Sequence, residues 1–256
     1  MTIHLKTSEE IDILREGGRR LARILETLAS KVAPGVSALS LEEEAVRLIE
    51  AGGDKPAFLG YRPQGARRPF PAALCISINN EIVHGIPNEA EKIVRDGDIV
   101  SLDLGILHRG LITDAAVTVG AGIIDAESKK LVEATKLALT KGIEAALPGK
   151  TIGDIGAAIS AVARAGGFTL AEGLVGHGVG YKVHEDPFVP NVGVAGRGEK
   201  LVPGLVIALE PMLNAGEARI KVLADGYTIC TRDGSKSAHF EHSIAITEKG
   251  HIILTS

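Results

Sequence analysis

Two stretches decide the fold: Gly97-Asp-Ile-Val-Ser-Leu-Asp103 and Gly204-Leu-Val-Ile-Ala-Leu-Glu210. Each runs from a glycine through an apolar, β-branched strand to a carboxylate, so the second reads as a copy of the first, 107 residues later. Working outward, Val32-Ala-Pro34-Gly35 and a helix ending Ala51-Gly52-Gly53 recur as Ala146-Leu-Pro148-Gly149 and a helix ending Ala165-Gly166-Gly167, at an offset of 114. At that offset Leu41, Ala45 and Leu48 fall against Ile155, Ile159 and Val162, one apolar helix face in each copy. The glycines after each helix are C-cap signals. The change of offset puts extra length between helix and strand in the first copy. The Arg/Pro-rich stretch from Tyr61 to Pro71 reads as that extra loop.

Each copy also has a preceding helix. Thr7-x-x-Glu10 is a capping box that opens a helix with Ile11, Leu14, Leu21, Leu25 and Leu28 on one side, and Asp125 opens its counterpart through Leu131, Leu137 and Ala145. Strands are expected at Ala73 to Ile78, Ile99 to Leu104, Ala115 to Val119, Val206 to Leu209, Lys221 to Thr231 and Phe240 to Thr247. Helices before strands, twice over, favour an α+β fold with a largely antiparallel sheet and helices on one face. Val119-Gly-Ala-Gly-Ile joins the copies without a Pro/Ser-rich linker, so residues 1–256 read as one domain of two pseudo-repeats, about 1–120 and 121–256.

Composition excludes several classes of function. With 45% apolar and 23% charged residues the chain is neither disordered nor fibrous. A balance of 28 basic and 32 acidic side chains marks no specific nucleic acid or membrane as partner. No apolar run approaches the roughly 18 residues of a membrane span, and charge interrupts the start before signal-peptide length, so a cytoplasmic location is expected. Cys75 and Cys230 are far apart and form no CxxC. Any metal must therefore be held by His, Asp and Glu.

Acidic residues inside the most apolar strands are the anomaly. Asp103, Glu210 and Glu241 each sit among aliphatic neighbours, with Asp114 near by in sequence and few cationic residues to pair them. Burying one unpaired carboxylate costs several kcal/mol, so something cationic must lie among them. A salt bridge or a strand end reaching water suffices to explain one such acid, but not four. Asp103 and Glu210, equivalent in the two copies, would face each other across the pseudo-two-fold axis. Four carboxylates balance two divalent cations, and a pair of such ions is a hydrolytic device. His177, between Gly176 and Gly178, is the leading imidazole to complete the set. His84 and His184 precede turn signals and could equally be surface residues; His4, His108 and His251 read as solvated. His239 shares a strand face with Glu241, with core packing as its plain reading, and His242 faces away.

The runs Asn-Glu-Ile-Val-His84-Gly-Ile-Pro, Asp96-Gly-Asp-Ile-Val-Ser-Leu-Asp103, Thr113-Asp114, Gly-His177-Gly-Val-Gly, His184-Glu-Asp-Pro, Leu209-Glu210-Pro-Met and Phe240-Glu241-His together resemble the type I methionine aminopeptidases. Each motif alone is weak, and seven in register over nearly the whole chain are specific. The resemblance implies the pita-bread fold, pseudo-two-fold symmetric with a curved antiparallel sheet. It implies release of the initiator methionine from nascent proteins by metal-activated hydroxide, with a small second residue preferred. Carried over residue by residue, it makes Asp103, Asp114, His177, Glu210 and Glu241 ligands of two divalent ions, Co, Mn, Fe or Zn, with Asp114 and Glu241 bridging. His184 would polarise the scissile carbonyl, His84 would meet the amide nitrogen, and Glu210 would also shuttle the proton. Phe58, Tyr61, Phe70, Cys75 and Tyr227 would line the methionine pocket.

The chain departs from the family pattern around that pocket: the loop from Arg62 to Pro69 is longer, Tyr227 stands where many members have Trp, and Val183 where Phe is common. The implied partners are N-terminal Met peptides and, through Arg62, Arg67 and Arg68, a transient ribosome contact, with a solvated loop as the plain alternative; a monomer is the default. Two nucleotide-like signals fail. Gly149-Lys150-Thr151 ends like a P-loop, but Glu144 stands where that motif needs its first glycine, and Gly176-x-Gly178-x-Gly180 does not open a helix. A proline-directed peptidase of the same fold and a non-catalytic peptide-binding protein on the same scaffold are the competing functions.

Overall fold

The structure is a computed structural model that describes residues 2–63 and 65–256. In chain order the elements are α1 (Ser8–Lys31), α2 (Ala38–Ala51), β1 (Lys55–Pro56), β2 (Leu74–Ile78), β3 (Glu81–Val83), β4 (Ile99–His108), β5 (Leu111–Gly120), α3 (Ala126–Ala145) and α4 (Ile152–Gly166). The remaining strands are β6 (Thr169–Leu170), β7 (Val175–Gly178), β8 (Glu185–Pro190), β9 (Val206–Leu209), β10 (Met212–Asn214), β11 (Ile220–Val222), β12 (Ile229–Thr231), β13 (Ser237–His239), β14 (Glu241–Thr247) and β15 (Gly250–Ile253). The main sheet runs β1-β4-β5-β14-β9-β7-β8, with β2 added on β4 and β15 on β14, every pairing antiparallel. Two three-stranded sheets, β13-β10-β6 and β11-β12-β3, flank it.

Alternation along the central strands sorts side chains between two faces. Leu102 and Leu104 of β4 pack with Leu21, Leu25, Leu28, Leu41 and Ala45 of α1 and α2. Ile207 and Leu209 of β9 pack with Leu131, Leu139, Ile155 and Ile159 of α3 and α4. Each helix pair thus covers its own half of one sheet face, and the opposite face is left for the site.

The repeat is visible in the backbone. Gly35 N–H donates to Val94 O and Gly149 N–H to Leu201 O, both at 2.8 Å, and isolated bridges join Ser37 to Ile93 and Thr151 to Lys200. Gly97 and Gly204 share a left-handed conformation, φ +87° and +91°, that only glycine adopts without strain. The capping box of α1 forms, and Asp125 caps α3 as expected. The expected continuous strand from Lys221 to Thr231 is a hairpin instead: Gly226, at φ +83°, breaks it into β11 and β12. The segment from Tyr61 to Pro71 forms no helix or strand among its described residues, and Gln64 lies outside them.

Candidate metal centre

Register alone collects the acidic residues. Opposed residues of antiparallel strands point to the same face, and Asp103 opposes Ala116, which opposes Glu241. Asp114 lies two residues along β5 from Ala116 and so shares that face. On the other side His242 opposes Leu209, so Glu210, just past β9, comes level with Glu241. His177 opposes Ala208, two residues before Glu210, and joins the same side. Gly176 and Gly178 permit this close packing: a Cβ on either would lie 2.3 Å from a backbone oxygen, of Ala208 or of Asp186.

Ligand atoms of Asp114, His177 and Glu241 all lie within 4.8 Å of one another. His177 Nε2 is 3.3 Å from Glu210 Oε1, and Asp103 lines the same cavity. His177 Nδ1 lies 2.9 Å from Gly178 O, which can only accept, so Nδ1 carries the proton and the Nε2 lone pair faces the carboxylates. Burial, the crowding of His184 and other imidazoles lower its pKa to about 3, which keeps the ring neutral. The acids shift the other way. Desolvation, then mutual repulsion, pushes Asp103, Glu210 and Glu241 well above the carboxylate range, and desolvation takes Asp114 to about 7.

Asp103 Oδ1, Asp114 Oδ1 and Glu241 Oε1 are buried without a hydrogen-bond partner, and no Lys or Arg is among the described residues lining the cavity. Three buried carboxylates with orphaned oxygens, the half-buried Glu210 and one neutral imidazole fit divalent cations.

Two further histidines border this cluster. His84 follows β3 at φ +59°, a conformation uncommon outside glycine, and lines the cavity. Gly85 follows it because a Cβ there would lie 2.1 Å from Ile76 O. Burial and the neighbouring His184 lower the His84 pKa to about 4. His184 stands at the cavity edge with its ring centroid 4.4 Å from that of His177 and its Nδ1 2.8 Å from the Tyr61 hydroxyl. Beside them Phe58, Tyr61, Phe70, Cys75 and Tyr227 wall a cavity of about 90 Å³, far smaller than the open groove of about 860 Å³ on the outer side of His184. Phe70 and Tyr227 meet edge to face, centroids 5.2 Å apart, and Tyr227 donates its hydroxyl to Arg68 O. The enclosed end therefore suits one apolar side chain.

The model of metallopeptidase family M24 matches residues 12–248. Over its full length the chain is 48% identical to the methionine aminopeptidase of Aquifex aeolicus, covering 99% of that protein, and 43% identical over 98% of both chains to methionine aminopeptidase 1 of Bacillus subtilis. The crystal structure of methionine aminopeptidase from Thermotoga maritima superposes with a TM-score of 0.94 at 40% identity, covering both chains completely. The chain belongs to the methionine aminopeptidases of family M24. Its fold is the pita-bread fold, which extends to a prolidase from Pyrococcus furiosus at a TM-score of 0.75 and 21% identity, covering 98% of this chain and 65% of that one.

Every residue that the methionine aminopeptidase resemblance assigned to the metal, the catalytic histidines or the methionine pocket lines this one cavity. His239 was undervalued by its sequence context. Its buried Nε2 lies 3.7 Å from Glu210 Oε2 and 3.8 Å from Glu241 Oε2, behind both acids, and its place two residues before Glu241 was the signal. His108 is not solvated: it is buried with Nδ1 2.6 Å from Asp54 Oδ1. The Tyr61 contact to His184 had no sequence signal, since the residues are far apart in the chain. Of the loop arginines, Arg68 pairs with Glu89 and Arg62 donates to Ala66 O and Arg67 O.

Proposed function

We propose that the whole chain acts as one metallopeptidase domain, a cytoplasmic monomer that removes the initiator methionine from nascent proteins, preferring a small second residue. The observation that carries this reading is the convergence of Asp103, Asp114, His177, Glu210 and Glu241, drawn from both pseudo-repeats, beside a small apolar cavity. These five side chains would hold two divalent cations, with Mn, Fe, Co and Zn all suited to one imidazole and four carboxylates. When bound, such ions supply Lewis acidity toward the scissile carbonyl and toward water.

The chain's own groups do the rest. Phe58, Phe70, Cys75 and Tyr227 take the methionine side chain and exclude water from it. His184, its ring held by the Tyr61 hydroxyl, offers a hydrogen bond to the carbonyl oxygen of the first residue. Glu210, in reach of His177, accepts a proton from water and returns it to the departing amine. His84, kept neutral, meets the nitrogen of the scissile amide. The same reading gives any passing contact with the ribosome to the exposed Arg67, since Arg62 and Arg68 are engaged within the protein.

Chelator-stripped protein assayed for methionine release from Met-Ala-Ser with and without Mn or Co, beside Pro-Ala-Ser, N-acetylated Met-Ala-Ser and Glu210→Ala, tests the proposal. Release only from free-amine Met-Ala-Ser, only with metal and lost in Glu210→Ala is the expected result. Cleavage of Pro-Ala-Ser instead would point to a proline-directed peptidase, and metal binding without cleavage to a peptide-binding protein.

A further inference from the structure

His184 stands in the turn between β7 and β8, and residues on both sides of it, Tyr181 in the turn and Glu185 and Asp186 at the start of β8, rest on the chain's own N-terminal segment. Three contacts tie them. Thr2 N–H donates to Asp186 Oδ2 at 3.0 Å, Lys6 Nζ to Glu185 Oε2 at 2.6 Å, and the Tyr181 hydroxyl to Glu10 Oε1 at 2.7 Å. The outer two are exposed and contribute little. The middle one is buried, its side chains 1% and 3% exposed.

The surroundings leave Lys6 one position. Its ammonium also donates to His4 O at 3.2 Å and lies 4.7 Å from the Tyr181 ring centroid. Its backbone N–H donates to Gly204 O at 2.7 Å. A Cβ on Gly180, at φ +141°, would lie 2.6 Å from Lys6 Cε, and one on Gly204 would lie 2.9 Å from Lys6 O, so two glycines form the slot in which Lys6 lies. The other Glu185 oxygen accepts the Lys182 N–H at 2.8 Å, which closes the turn around His184.

A buried ion pair is a poor stabiliser, because an apolar pair of equal volume holds a fold as well or better. What such a pair adds is direction, and here it fixes the residue next to His184. We propose that Lys6 is a positioning residue for His184: through Glu185 it sets the backbone of the turn, while the Tyr61 hydroxyl sets the ring. The N-terminal segment thereby becomes part of the active site. The functional side of this inference rests on His184 meeting the substrate carbonyl, as proposed above.

The experiment compares Lys6→Met, Glu185→Gln and the double variant in metal-reconstituted enzyme, each with and without His184→Ala. The His184 ring is followed by ¹H–¹⁵N NMR in the diamagnetic Zn-loaded enzyme, its signals assigned by their loss in His184→Ala. Lys6→Met is expected to lower kcat for Met-Ala-Ser about tenfold with KM changed less than about twofold. It shifts or broadens the His184 ring signals and costs no further activity once His184 is alanine. The double variant, relieved of an unpaired buried charge, keeps the melting temperature of the parent and still shows the lower kcat and the moved ring signals.

Unchanged His184 ring signals in folded Lys6→Met or in the double variant overturn the proposal, as do equal losses of activity with and without His184. Should Lys6→Met not fold, the isosteric Glu185→Gln and the double variant decide by the same signals. If His184→Ala leaves hydrolysis intact while Lys6→Met still moves the His184 ring, the catalytic reading of His184 falls and the positioning by Lys6 stands.

Discussion

The two halves of the molecule share a frame and differ in what they hang on it. Ser37 and Thr151 open equivalent helices, and Asp103 within β4 and Glu210 just past β9 stand six residues after equivalent glycines. The segment after the second helix then diverges. In the first half it becomes the loop that lays Phe58 over Gly105, where a Cβ would meet the ring at 2.7 Å, and closes the apolar cavity with Phe70. In the second half it becomes β7 and the turn before β8, which deliver His177 and His184. Positions related by the repeat supply negative charge, and unrelated insertions supply selection on one side and two imidazoles on the other.

Neutralising one acid from each half is the strongest way to break this comparison. Asp103→Asn and Glu210→Gln are each expected to lower metal-dependent methionine release by more than about 100-fold, beyond the loss usual for groups that only orient ligands. Asp103→Asn should also raise the melting temperature of the metal-free protein, because a buried carboxylate oxygen without a partner is replaced by a neutral amide. Full activity in one variant beside a dead partner would show that the equivalence of the two positions ends at the backbone.

Metal removal tests the junction of the halves, which meet where β5 pairs with β14 at Ala116 and Glu241. A divalent ion at 100 times its Kd should stabilise the stripped protein by about 2.7 kcal/mol, a rise of about 5 to 10 °C for a chain of this size. Calorimetry with and without Mn measures it, and an unchanged melting temperature would count against a site built from both halves.

The pocket belongs mainly to one half, and its variants should leave the metal response alone. Phe70→Ala is expected to raise KM for Met-Ala-Ser by about tenfold or more through lost apolar contact, with the Mn-induced rise in melting temperature intact. A variant that lost both together would mean that pocket and metal cluster form one cooperative unit.

The same division explains what the sequence disclosed. The carboxylates were legible because a charge in an apolar strand is anomalous on its face, and because Asp103 and Glu210 recur in register. His177 was legible through its flanking glycines. The pocket residues came only with the family resemblance, since Phe58, Phe70 and Tyr227 carry no local signal that separates a binding wall from core. Lys6 escaped for a physical reason: a buried polar side chain is revealed by its partner, and that of Lys6 lies at the far end of the chain. His239 showed only a strand face shared with Glu241, since its other partner, Glu210, lies at the end of another strand. The hairpin at Gly226 was hidden because β-branched residues on both sides of a turn read as one strand.

The smallest expected effects lie in the helix caps, where the two halves solve one problem with different chemistry. Ser37 accepts the Ser40 N–H at 3.1 Å with a neutral hydroxyl. At the equivalent place the Asp154 carboxylate accepts the Thr151 hydroxyl at 2.7 Å, the Thr151 N–H at 2.9 Å and the Gly196 N–H at 3.3 Å. Ser37→Ala should cost about 1 kcal/mol at any pH, since nothing in that cap titrates. The bonds to Asp154, the Thr151 hydroxyl first, lower its pKa below the ordinary carboxylate range. Its contribution is therefore complete above the unfolded-state value near 4 and is lost as pH falls through the lower folded value. Urea midpoints should separate Asp154→Ala from the parent at pH 7 and narrow that gap as pH falls below about 4, while the gap for Ser37→Ala stays constant. A gap for Asp154→Ala that does not narrow at all as pH falls below about 4 would mean that the side chain acts there through packing, and the two caps would then differ in residue type but not in physics.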